Sequence, residues 1–145
     1  MRNLKMVFFW RQFVSPRKWK FRIRHILTSI RNIEKYSEGL SFDDFKKNQE
    51  KIDAILRNFE IIGEASKAVP ECNREKHPSI PWQELAGLRD ILILRYDRVN
   101  LQIIWEAMKN ELPLLNPQIE GLLAAEKELP LGFREPPRPF LKGSD

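Results

Sequence analysis

The sequence predicts an all-α fold, an antiparallel bundle of four to five helices. Apolar residues recur at helical spacing over most of the chain, with charged residues between them. Six glycines and two tyrosines in 145 residues are a poor supply for a strand-and-turn protein. No convincing strand and no internal repeat is present, and short connections make neighbouring helices antiparallel.

Trp19, Ile23, Ile26, Leu27, Ile30 and Ile33 define a first helix from Arg17, which Gly39 ends. Ser41 with Asp44 resembles an N-cap and acidic first turn, opening a short helix through about Phe45. Ile52, Ile55, Leu56, Phe59 and Ile62 give a second strong stripe to about Val69, where Pro70 stops it. Gly63 and Ala65 are small enough for another helix to approach closely. Residues 70–81, with three prolines, read as a loop, and Pro81 suits the start of the next helix. That helix, WQELAGLRDILILRYDRV, carries Trp82, Leu85, Leu88, Leu92 and Tyr96, and its block Ile91–Leu94 reads as buried. Asn100 caps the last helix, whose apolar side is Leu101, Ile104, Trp105, Met108 and Leu112. Pro113 and Pro117 should kink or break it, with helical pattern resuming from Ile119 to about Glu126.

The domain organisation is thus a basic, aromatic extension over 1–16, a helical bundle over 17–126, and a Pro-rich, extended tail over 127–145. The length fits one domain, and 42% hydrophobic with 31% charged residues is a globular composition. One cysteine, Cys72, excludes a disulfide framework and a Cys-based metal site. The net charge of +5 hints at nucleic acid. Much of it lies before residue 25, where no acidic residue interrupts the basic ones; a solvated, frayed terminus explains that equally well. MVFFW at 6–10 is too short for a signal sequence, and no stretch approaches a membrane span, so a soluble, cytoplasmic protein is expected with no membrane partner.

No metal-ligand set is visible: His25 and His77 stand apart, each without a second His or a carboxylate at i+3 or i+4. No phosphate-binding glycine motif occurs, and no cofactor is expected. Chemistry can concentrate only on the helix of RDILILRYDRVN, 89–100. At about 100° per residue, Arg89 and Tyr96 fall on one helical face, about 20° apart. Arg89 could hold a phosphate in its planar fork, and Tyr96 could hydrogen-bond, stack on a base or be modified on its hydroxyl. The plain structural reading has Arg89 paired with Glu84 or Glu60, Tyr96 packed at a helix end, and His25 capping or packing in the first helix.

The run PSIPWQELAGLRDILILRYDRVNLQIIWEAMKNELPLL, with FEIIGEAS and WKFRIRHIL upstream, resembles the HepT toxin family over about residues 17–126. These are HEPN-domain proteins, the toxin half of a toxin–antitoxin pair with a minimal nucleotidyltransferase, MntA. The resemblance implies a HEPN-like homodimer whose motif helices face each other, and metal-independent RNA cleavage; for a small toxin, tRNA is the substrate expected. The family motif is Arg, a polar residue, three or so variable residues, His, one residue, then Tyr. Arg89 takes the Arg position, Asp90 the polar position and Tyr96 the Tyr position, on which the partner places AMP. Arg89 would grip a phosphate with Arg95 as a further RNA contact, and Asp90 would orient Arg89 or the missing base. The His position falls on Leu94, which has no proton to give or take. Asp97 and Arg98 also depart from the pattern, where many relatives carry an aromatic and a Gly.

Three readings of Leu94 stand. It is an introduced or selected inactivating change, the mark of a decayed toxin, or a Leu tolerated in a binding role; the first is favoured because the surrounding residues match so well. The expected function is therefore the toxin of a HepT/MntA-type system, an RNA endonuclease scaffold inactive in this form. The alternative is a non-catalytic helical module that binds, and is modified by, a nucleotidyltransferase, docking through the basic N-terminus or through Glu106, Glu111, Glu120 and Glu126.

Overall fold

The computed structural model describes residues 19–127, and they form helices and turns without a strand. Helix α1 is Trp19–Ser37, α2 Phe42–Lys47, α3 Gln49–Lys67, α4 Glu71–Lys76 and α5 Trp82–Leu94. A 3-10 turn, Tyr96–Arg98, leads to α6, Leu101–Glu106; a π-helical segment, Ala107–Glu111, joins α6 to α7, Leu112–Lys127. The expected all-α bundle is what forms, with four long helical arms and two short helices. The expectations for residues 1–16 and for the tail beyond Lys127 fall outside the described residues.

Helix α3 is central. It packs on α1 along one side and α5 along another, while α7 covers α1. The two clean stripes supply the core: Ile23, Ile26, Ile30 and Ile33 meet Ile55, Phe59 and Ile62, and Ile119 and Leu122 close it. Burying so many large aliphatic side chains, at about 1.5–3 kcal/mol each, is the main stabilising term.

The stops and starts follow local chemistry. Gly39 adopts φ +73°, the left-handed conformation that ends α1 at low cost. Ser41 and Asp44 form a capping box: the Asp44 N–H donates to Ser41 Oγ (3.1 Å), and the Ser41 N–H donates to Asp44 Oδ2 (3.2 Å). Those bonds to Ser41 hold the Asp44 carboxyl below the usual carboxylate range. Phe42 and Phe45 of α2 then dock on Trp105 of α6, with ring centroids 5.8 and 5.6 Å away.

Three expectations are corrected. The proline-rich loop contains α4, because Pro70 presets φ −58° at its start and Glu71 and Lys76 suit the two helix ends. The motif helix does not run to Val99: Arg95, at φ −136° and ψ 41°, terminates it. Asn100 must cap the next helix, its Oδ1 accepting from the N–H groups of Gln102 and Ile103, so the intervening backbone leaves helical geometry. Of the kink or break expected at Pro113 and Pro117, the break does not occur: the last helix runs on with Pro117 inside it. The π segment ends two residues before Pro113, with the Leu112 N–H donating to the Ala107 carbonyl, five residues back. Widening the turn relieves the clash a proline ring makes with the carbonyl four residues earlier. Both prolines face solvent, where water can satisfy the carbonyls they leave without a donor.

Candidate functional site

The site is set by the crossing of α3 and α5. A Cβ added at Gly63 would collide with the Cβ of Arg89 and come within 2.7 Å of the Leu85 carbonyl oxygen. The absence of that carbon lets the two backbones approach and fixes where Arg89 leaves α5. As expected, the small residue serves a close helix approach.

Arg89 is 31% exposed at its side chain and sits between two carboxylates. Its Nη1 donates to Asp90 Oδ1 at 3.1 Å, and its Nε lies 2.9 Å from Glu64 Oε2 without hydrogen-bond alignment. The partner on α3 is Glu64, not Glu60, and Glu84 is not engaged, since the phase of the helix crossing decides which turn of α3 faces Arg89. The bond to Asp90 raises the Arg89 pKa further, so the guanidinium is a permanent cation.

Asp90 also accepts from Lys67 Nζ at 2.6 Å. Lys67 first, and Arg89 second, hold its carboxyl below the usual 3.8. A carboxylate with a depressed folded-state pKa adds stability above its unfolded value, and that stability is lost as pH falls through the folded value. Denaturant titrations are therefore expected to show the parent chain more stable than Asp90→Asn near neutrality. The gap should begin to close at about pH 4 and vanish only as the pH falls below the depressed folded-state pKa of Asp90. A gap independent of pH would remove Asp90 from the network.

The rest of the motif lies differently from its sequence reading. Only Leu92 of the block Ile91–Leu94 is buried; Ile91 is 56% and Leu94 78% exposed. Tyr96 is equally exposed, and it stands in the 3-10 turn beyond the helix end. Arg89 and Tyr96 thus do not share a helical face. Arg95, at the junction, is exposed. Gly87, Ile91 and Leu94 follow one another along the outer face of α5, and nothing lies within 4 Å of a Cβ built at Gly87.

A cleft of about 570 Å³ opens beside Arg89, bounded by α1, α3 and α5. Its lining includes Arg22, His25, Asn32, Arg57 and Ile93. Sequence reasoning set His25 aside as a packing residue, but it is exposed and faces the cleft. The one local signal was the i, i+3 spacing of Arg22 and His25, which places both on one face of α1. The other histidine, His77, follows α4, where its backbone carbonyl accepts from Trp82 Nε1. Cys72 is exposed. Among the described residues no group of three His, Cys, Asp or Glu side chains could hold a metal ion, and no helix is long and apolar enough to cross a membrane.

Comparisons with known proteins agree on one family. The family model described as "Ribonuclease HepT-like" matches residues 26–122. The chain is 44% identical over 113 residues to a "Putative RNase" of Caldanaerobacter subterraneus subsp. tengcongensis, covering 78% of this chain and 98% of that protein. It is 37% identical over 106 residues to the "Probable ribonuclease HepT" of Thermococcus cleftensis, covering 73% and 96%. It is also 45% identical over 100 residues to a "Gamma-glutamylcyclotransferase and putative RNase" of Methanocaldococcus jannaschii, a match spanning 69% of this chain and 45% of that longer protein. No solved structure matches significantly.

Proposed function

Because the chain belongs to the HepT-like ribonuclease family, we propose that it is the toxin scaffold of a toxin–antitoxin pair, built to cleave RNA without a metal but silent in this form. The observation that carries the reading is the state of Arg89. It is a permanent cation, braced by Asp90 and Glu64, and it opens on a cleft. Leu94, at the end of the same helix, stands exposed where the family's His is expected. Arg89 holds a phosphodiester of the strand, Arg95 adds a second contact, and Asp90 fixes the guanidinium. Leu94 supplies no general acid or base for the 2′-hydroxyl or the leaving oxygen. The deciding experiment is RNA cleavage by the purified chain beside its Leu94→His variant.

The uncovered Gly87–Ile91–Leu94 face supports a homodimer through the motif helices. Tyr96 supports silencing by a nucleotidyltransferase of the MntA type, because its hydroxyl stands clear of the helix. In that step the phenol oxygen attacks the α-phosphate of ATP, pyrophosphate leaves, and the phenolic proton passes to a base of the partner. Mass spectrometry after incubation with such a partner and ATP is expected to place one AMP on Tyr96, with none on a Tyr96→Phe chain. AMP retained by the Phe variant would move the acceptor elsewhere. The same exposed apolar tip also favours a second reading, a module that only binds the transferase; it predicts tight partner binding and uncut RNA even with Leu94→His.

A further inference from the structure

The cleft beside Arg89 has charges that do not cancel. Arg57 lies 3.0 Å from Glu60, and Arg89 2.9 Å from Glu64, so each of these cations has one carboxylate of the cleft wall beside it. Arg22 and His25 line the same cleft, and among the described residues neither is in an ion pair. Phe21, beside Arg22 in sequence, is 60% exposed, and its ring stands edge-on to His25 with centroids 5.7 Å apart. Thr28 and Asn32 continue the cleft wall along α1 and present a hydroxyl and an amide. Asn32 uses one amide proton on Asn58 Oδ1 at 3.2 Å.

An unpaired cation next to an exposed aromatic pair is the equipment for single-stranded nucleic acid. The base stacks on the ring, the phosphate meets the cation, and polar side chains reach the sugar. An inorganic anion would use Arg22 but has no use for Phe21. Burial does not account for Phe21 either, since its ring lies mostly in solvent while Ile23 and Ile26 carry the buried face of α1.

We propose that the Phe21–Arg22–His25 face of α1 and the cleft behind it hold the single RNA strand that flanks the phosphodiester gripped by Arg89. This rests on the ribonuclease reading and adds the path of the substrate to it. The strand runs along α1, its bases against Phe21 and His25 and its phosphates toward Arg22, and enters the site past Thr28 and Asn32.

The test is fluorescence anisotropy of a short labelled single-stranded RNA with the full chain and three exposed variants. Phe21→Ala is expected to weaken binding about ten-fold at every salt concentration, the size of one lost base stack. Arg22→Ala is expected to make the log–log salt dependence shallower by about 0.7, the mark of one lost single-strand phosphate contact. Arg24→Ala, on the same helix but outside the cleft, is expected to change neither. A duplex RNA should lose little on Phe21→Ala, since its bases are already stacked. If Leu94→His chain cuts RNA while Phe21→Ala and Arg22→Ala leave affinity and salt slope unchanged, the strand path is wrong and the ribonuclease reading survives. If the chain binds no RNA and its Leu94→His variant cuts none, the reading itself falls and the strand path falls with it.

Discussion

Leu94→His is expected to raise RNA cleavage by about 10²–10⁴-fold, the usual contribution of one general acid–base group. The site favours a clean result. Leu94 is 78% exposed at the last residue of α5, so the exchange opens no cavity and buries no imidazole. Its effect on stability should stay within about 0.5 kcal/mol, as for other surface positions. Arg89 and Asp90 are already braced by Glu64 and Lys67, so the substitution adds a proton carrier beside an arginine that is held in place. Leu94→Gln separates the two roles: it is polar and similar in size, but it does not titrate, and it should remain as inactive as the parent. Expression of the His variant should also poison the host. RNA left intact by the His variant would count against cleavage as the function. Equal cleavage by parent and variant would mean that Leu94 is not the catalytic position.

Gly63→Ala is expected to destabilise the fold by about 1–3 kcal/mol, the range for overpacking a close-packed core. Here the obstruction is the Leu85 carbonyl and the Cβ of Arg89, neither of which can swing aside as a flexible side-chain end could. Either α3 and α5 move apart or Arg89 is pushed off its carboxylates. The variant should therefore lose melting temperature and RNA affinity together. Gly121→Ala is the control, since nothing lies within 4 Å of a Cβ at that position of α7. That change should stabilise by up to about 1 kcal/mol, because alanine is the better helix former. Equal melting temperatures for the two alanine variants would mean that the α3–α5 contact has more slack than its geometry gives.

The long helices were legible because their stripes are unbroken. Ile23, Ile26, Ile30 and Ile33, and Ile52, Ile55, Phe59 and Ile62, all turned out buried. The capping box at Ser41 was equally legible, since both partners lie within one turn. The end of α5 was not. A continuous apolar run has no phase, so Ile91–Leu94 looked buried when only Leu92 is. The stop at Arg95 is imposed by the chain that follows, where Asn100 must cap α6. Within the site, the motif residues could be read from one segment, but the neighbours could not. Glu64 as the partner of Arg89, and His25 as a cleft residue, depend on how three helices cross. Spacing within one helix contains no such information.

The π segment works as a swivel. Ile104, Met108, Leu112, Leu115, Ile119 and Leu122 would form a single straight seam on an ordinary α-helix, able to serve only one neighbour. The extra residue in that wide turn rotates everything after it by about 100°. The first part of the arm consequently meets α2 through Trp105, and the second part meets α1. Deleting one residue between Ala107 and Glu111 would close the wide turn into an ordinary α-helix and leave Ile119 and Leu122 aimed at α1, whereas deleting one beyond it, such as Asn116, would turn the lower seam by about 100° and leave them without their slots.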